Sequence, residues 1–266
     1  MSVPFHHPTA VIAPGARLAP DVRVGPFAVI EAGATLGPGC VVGPNVHLFG
    51  CVTAGANNCF HTGCVIGDTP QHLAYAGEPT RVEIGDGNTF REHVTIHRAM
   101  PATGATVIGS RNLFMAGSHV AHDCRVGDGA IFANCAVIGG HAVVQGGAFL
   151  SGNSCVHQFC RVGRLAMLSG TSSVSQDLPP FWIVQEVNIP RGVNVIGMRR
   201  AGIPNAEIQG VRRAYKAINR SGLTVAEART RIEAEGGHLP AVVELVTFIR
   251  ESKRGIVTAG REAGDE

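Results

Sequence analysis

The chain has 266 residues, with 22 Lys and Arg against 20 Asp and Glu and a formal net charge of +2. So even a balance gives no argument for a nucleic-acid partner, and no apolar run reaches the roughly 18 residues that a membrane span needs. The first residues lack the charged and apolar regions of a secretory signal, so the expected compartment is the cytoplasm.

From Ile12 onward every sixth residue is aliphatic, phenylalanine or alanine: Ile12, Leu18, Val24, Ile30, Leu36, Val42, Leu48, Ala54, Phe60 and Ile66. Six is neither a helix nor a strand period. It is the hexapeptide signature of a parallel β-helix, whose triangular coil takes three hexapeptides, about 18 residues, per turn. Two residues earlier sits a compact side chain, as at Val22, Ala28, Ala34, Cys40, Val46, Val52 and Cys64. The pattern predicts that both columns point inward.

His72 and Glu78 break the series, in a stretch with Pro70, Gly77 and Pro79. Residues 68–82 are therefore expected to leave the coil as a loop, and the polar, Gly-containing stretch 98–105 likewise. Loops on a rigid scaffold commonly carry function. The phase resumes at Ile84, Phe90 and Ile96, passes Ala102, and runs from Ile108 to Val174. Four of the eight cysteines, Cys40, Cys64, Cys124 and Cys160, fall on the compact inward position and no CxxC pair is present. They read as small core hydrophobes, not metal ligands.

Beyond Val174, Asp177 to Pro180 reads as the start of an extended linker. A helix is expected from Pro204, with Ile208, Val211, Tyr215 and Ile218 on one face and Gly222 as its stop. Thr224 and Glu227 form a capping box for a second helix ending near Gly236 and Gly237. Pro240 opens a third, with Val243, Val246 and Ile249 or Phe248 on its apolar face. Glu262 to Glu266 is expected to fray. The expected division is a coil over 1–190 and a helical domain over 191–266, covering one open end of the solenoid.

Twelve histidines stand in the sequence. His119, His122, His141 and His157 lie outside both inward columns, so they should face out of the coil. One turn separates His122 from Gly140, which places His122 beside Gly140 and His141. Two chemistries fit. Three histidines in a groove can bind zinc and activate water. Alternatively, one histidine acts as a general base oriented by a carboxylate, for which Asp123 is the adjacent candidate. Gly140 could then offer an open N–H to an oxyanion. The second chemistry uses more of these parts.

The segments YAGEPTRVEIGDGNTFREHVTIHR (75–98), AHDCRVG (121–127), GGH (139–141) and VHQFCRVG (156–163), with SQDLPPFWI and AYKAINRSGLT further on, resemble the acyl-carrier-protein–UDP-N-acetylglucosamine O-acyltransferase family of lipid A biosynthesis. The resemblance covers nearly the whole chain. It implies a left-handed parallel β-helix with a small C-terminal helical domain, and a homotrimer with active sites between subunits. It also implies that no metal or cofactor is needed, because the thioester donor is already activated. The implied reaction moves a 3-hydroxyacyl chain from acyl carrier protein to the 3-OH of UDP-N-acetylglucosamine. In that scheme His122 is the base, Asp123 orients it and Gly140 is the oxyanion donor. His97, His119, His141, His157 and Gln158 contact substrate, and Gly170 limits acyl length. Asn194 and Arg200 hold the uridine from a neighbouring subunit. The chain departs from the family pattern at His72 and Ala74, where an acidic residue and a lysine are usual, and at Ile196 and Ala201. The same chemistry on another acceptor, such as a 3-amino sugar, and a zinc hydratase on the same coil are the alternatives.

Overall fold

The computed structural model describes residues 5–259, so the expectation for Glu262 to Glu266 lies outside the described residues. Short parallel strands stack into three sheets, the faces of a triangular prism. The first face runs from Val11–Ile12 to Ser173–Val174, the second from Arg17–Leu18 to Arg161–Val162, and the third from Arg23–Val24 to Trp182–Gln185. The coil is a left-handed parallel β-helix.

The inward columns are as the period predicts. Phe60, Phe90, Phe114 and Phe132 are fully buried, and successive rings stack at centroid separations of 4.9, 5.1 and 4.8 Å. Cys40, Cys64, Cys124 and Cys160 are buried thiols. Burial pushes the thiols of Cys64 and Cys124 up to about 12, which removes them as ready nucleophiles.

Three compact positions hold asparagine. Asn58 Oδ1 accepts from both nitrogens of Asn88 at 3.0 and 2.9 Å. Asn88 Oδ1 accepts likewise from Asn112 at 2.9 and 3.0 Å, and Asn112 Oδ1 from Ala130 N at 2.7 Å. A buried amide is tolerated here because its neighbour in the next coil satisfies it.

Aligned residues of adjacent coils are 18 apart, as in Ile30↔Leu48 and Val120↔Ile138. Across the first loop the separation is 30, Ile66↔Ile96, and across the second it is 24, Ile96↔Val120. The inserts are thus whole hexads, roughly two and one. This explains why the six-residue phase survives them. It also corrects the place of Ala102. That residue matches the phase but is exposed in the second loop, outside the inward column.

The stretch after Val174 is not a linker. Leu178 bridges Val162, and Trp182–Gln185 pairs in parallel with Met167–Leu168, so the coil gains another partial rung. Val184 aligns with Leu168, 16 residues before it, so the hexapeptide phase is lost while pairing continues. Ile189–Val193 then folds back antiparallel.

Four helices follow: α1, Val195–Arg200; α2, Asn205–Arg220; α3, Val225–Gly236; and α4, Pro240–Arg250. The first is not expected from sequence, because six residues are too few to show a period. In α2 the face of Ile208, Val211, Tyr215 and Ile218 is buried, and α3 has the Thr224–Glu227 capping box. In α4 the apolar face is Val242, Leu245, Val246, Phe248 and Ile249, while Val243 is 46% exposed. The helices pack on the last coils. Tyr215 meets Trp182 edge-on at 5.0 Å, the Arg161 guanidinium lies 4.1 Å from the Phe248 ring centre, and Arg164 pairs with Glu244 at 2.7 Å. No helix among the described residues is long and apolar enough to cross a membrane.

Candidate active site

His122 and Asp123 follow the strand His119–Val120, at a corner of the prism. Side chains adjacent in an extended strand diverge. Here Asp123 has φ of 63°, a left-handed conformation that aspartate tolerates better than most residues. The turn brings its carboxylate back onto its neighbour, and His122 Nδ1 donates to Asp123 Oδ2 at 2.5 Å. The Asp123 side chain is fully buried and that of His122 nearly so.

One coil further on, Gly140 lies directly beneath the His122 ring. A Cβ on Gly140 would stand 2.6 Å from His122 Cε1 and 2.7 Å from Nε2, so no other residue fits without moving the imidazole. The carbonyl of Gly140 accepts from Phe159 N, but its own N–H donates to no described residue. An unengaged N–H beside an imidazole nitrogen is a donor for a developing negative charge.

Other histidines surround this pair. The rings of His72 and His141 each meet that of His122 edge-on, with centroids 5.4 Å away. His141 Nε2 is 3.6 Å from Asp123 Oδ2, and its ring stacks on Phe159 at 4.6 Å. His119 Nδ1 shares a hydrogen bond of 2.7 Å with Thr95 Oγ1, and its ring meets that of His97 edge-on at 4.9 Å. His97 is buried, with an unpartnered Nδ1. Burial, reinforced by His97 and His122, drives His119 down to about 4. Burial also lowers His97 and His141. This wall of the site is therefore neutral imidazole near pH 7.

His157 is exposed, and Gln158 packs against Gly139 in the column above His122 and Gly140. At Gly170 an added Cβ would meet only Gly152 O, at 3.7 Å, so the surface is open there. Asn194 and Arg200 lie elsewhere. They line an apolar groove of about 790 Å³ on the third face, with Ile131, Phe149, Met167 and Ile183. Asn194 also caps α1, accepting from Gly197 N at 2.9 Å, and its Nδ2 donates to Leu165 O. The chain thus gathers His72, His97, His119, His122, Asp123, Gly140 and His141, and leaves Asn194 and Arg200 on another face.

Three partners of Asp123 went unread in the sequence. Met100 N donates to both carboxylate oxygens at 3.1 Å, the Thr103 hydroxyl donates to Oδ1, and Asp123 N donates to Thr106 Oγ1 at 2.8 Å. Burial alone would raise the Asp123 carboxyl. The Thr103 hydroxyl, His122 and Met100 N–H outweigh it and hold the group below its ordinary value. His122, Asp123 and His141 could together offer ligand atoms to a cation. The carboxylate, however, already accepts from three N–H and O–H groups, which suits an orienting acceptor better than a ligand.

Family models match residues 177–257 as domain 2 of UDP-N-acetylglucosamine O-acyltransferase, and residues 15–50 and 105–140 as bacterial transferase hexapeptide repeats. An acyl-[acyl-carrier-protein]–UDP-N-acetylglucosamine O-acyltransferase of Anaeromyxobacter sp. (strain Fw109-5) is 46% identical over 94% of this chain and 98% of its own length. That of Halorhodospira halophila is 42% identical over the same shares. Among solved structures, LpxA from Acinetobacter baumannii superposes with a TM-score of 0.92 at 38% identity, covering 96% of this chain and 100% of that one. The UDP-N-acetylglucosamine O-acyltransferase of Moraxella catarrhalis gives 0.90 at 36%, covering 95% and 99%.

Proposed function

Because this chain belongs to the acyl-[acyl-carrier-protein]–UDP-N-acetylglucosamine O-acyltransferase family, we propose that it moves a 3-hydroxyacyl chain from acyl carrier protein to the 3-OH of UDP-N-acetylglucosamine, the first step of lipid A biosynthesis. The observation that carries the site assignment is the His122 ring, held by Asp123 on one edge and set over Gly140 on the other. With Nδ1 donating to the carboxylate, Nε2 is the basic nitrogen. It takes the proton of the attacking sugar hydroxyl as oxygen bonds to the thioester carbon. The carbonyl oxygen gains charge and is stabilised by Gly140 N–H. The adduct collapses, the C–S bond breaks, and the proton on Nε2 passes to the departing sulfur. Asp123 stays ionised throughout and stabilises the transient imidazolium. His97, His119, His141, His157 and Gln158 serve as substrate contacts, donors or acceptors for sugar hydroxyls.

The acyl chain runs past Gly170, where the missing side chain leaves room for a long donor. Asn194 and Arg200 face the same substrate only if a second copy supplies them. That separation supports sites between subunits, as in a homotrimer; the compartment we propose is the cytoplasm. The coil of residues 1–190 then serves as the catalytic body and residues 191–266 as its helical cap.

The deciding experiment is mass spectrometry of products from purified protein given acyl carrier proteins of graded chain length. UDP-N-acetylglucosamine and its 3-amino analogue are the competing acceptors. An ester on the 3-OH is expected; acylation of the amine alone would overturn the acceptor.

A further inference from the structure

We infer that Thr103, together with the main-chain N–H of Met100, is a positioning device for the His122–Asp123 pair: the second loop decides which histidine the carboxylate holds. The inference rests on the reading of His122 as base and extends it to residues outside the reacting atoms.

Asp123 Oδ2 has two imidazoles within reach, His122 Nδ1 at 2.5 Å and His141 Nε2 at 3.6 Å. A carboxylate bonded at one point only can swing between them, since its two oxygens are equivalent acceptors. Here it cannot. Met100 N donates to both oxygens, the Thr103 hydroxyl occupies Oδ1, and Thr106 fixes the backbone of the same residue. Oδ2 is thereby left pointing at His122. Met100 and Thr103 both come from the one-hexad insert, which the regular coils lack. Merely closing the coil does not require it, because regular coils close in 18 residues without it. Thr103 is exposed as a residue, yet its hydroxyl turns inward to the buried carboxylate. The lowered carboxyl of Asp123 agrees, with Thr103 the leading favourable contact against burial.

The test is Thr103→Val, which keeps the shape and removes the donor, beside Thr103→Ser, which restores it. The Val variant should lose about tenfold in kcat, the scale of a hydrogen bond to a charged group. KM for UDP-N-acetylglucosamine should stay within about twofold. The acidic limb of the kcat/KM profile should move to higher pH, because a carboxylate with fewer donors binds a proton more readily and stabilises imidazolium more. The titratable groups facing the pair are His141 on Asp123, and His72, His97 and His119 on His122. All are common to wild type and variant, so the difference between profiles isolates Thr103. Independently of turnover, the deshielded Nδ1 proton of His122 should give a far-downfield proton NMR signal that fades in Thr103→Val and returns in Thr103→Ser.

Wild-type kcat, profile and signal in Thr103→Val would overturn the inference, as would failure of Thr103→Ser to rescue. If Thr103→Val alters the signal but His122→Ala retains turnover, the positioning stands and the base assignment fails. If His122→Ala is inactive while Thr103→Val is unchanged, the reverse holds.

Discussion

A histidine followed by an aspartate is common, and it becomes a dyad only when the chain turns between them. The left-handed φ at Asp123 makes that turn. His122→Ala should therefore lower kcat by about 10²–10⁴-fold, the usual contribution of a general base, while circular dichroism stays unchanged. Asp123→Asn should cost less, because it disturbs orientation and leaves the proton acceptor in place; steady-state turnover separates the two. The neighbouring imidazoles add a pH effect on stability. The folded-state pKa of His119 is about 4 against an ordinary value of 6.5. Between these values the unfolded chain binds the proton and the folded chain does not, so stability falls as pH drops through that window. The slope is at most about 1.4 kcal/mol per pH unit for one such histidine. Urea midpoints at pH 7.5 and 5.0 should show the loss, and His119→Gln should flatten it.

At the scale of elements, the loops obey a length rule. Deleting the six residues Ala99 to Gly104 of the second loop should leave a regular coil with its inward columns in register. Far-UV circular dichroism and the urea midpoint should hold, while turnover falls because Met100 and Thr103 go with the loop. Deleting five residues should instead turn inward side chains outward and unfold the neighbouring coils, as any register slip does in a sheet with one buried face. The six-residue period made the coil, both loops, the thiol column and the outward histidines legible in sequence. It also put His122 next to Gly140, because stacking converts a separation of one turn into contact. It could not show Thr103 against Asp123 or His72 against His122. Those contacts depend on the path of loops without a period. It likewise failed beyond Val174, where Leu178 and Val184 keep the pairing but lose the spacing, and at Val243, where helix phase slipped by one residue.

For the whole molecule, the decisive feature is that Asn194 and Arg200 stand on a different face from His122. If neighbouring copies complete each site, then His122→Ala and Arg200→Ala proteins, each nearly inactive alone, should regain activity after being unfolded together and refolded as mixed assemblies. The recovery should follow the binomial fraction of interfaces with one intact set of each kind. Recovery no greater than the sum of the two parents would mean that each site is built within one chain.

The asparagines at 58, 88 and 112 run through the coils from which both loops depart. Each amide oxygen holds the backbone of the next coil, the nitrogens of Asn88 and Asn112 donate to the asparagine before them, and that of Asn58 donates to Gly55 O and Gly85 O, so the row has a direction. Losing Asn88 strands acceptor and donor at once, whereas losing Asn112 leaves the first link intact. Solenoids ordinarily fray coil by coil from their ends. This row instead ties the coils around the loops into one block, and their amides should exchange with deuterium together, at a single rate slower than the end coils. The part of the chain that must present two irregular loops without moving is thus the part that opens least often.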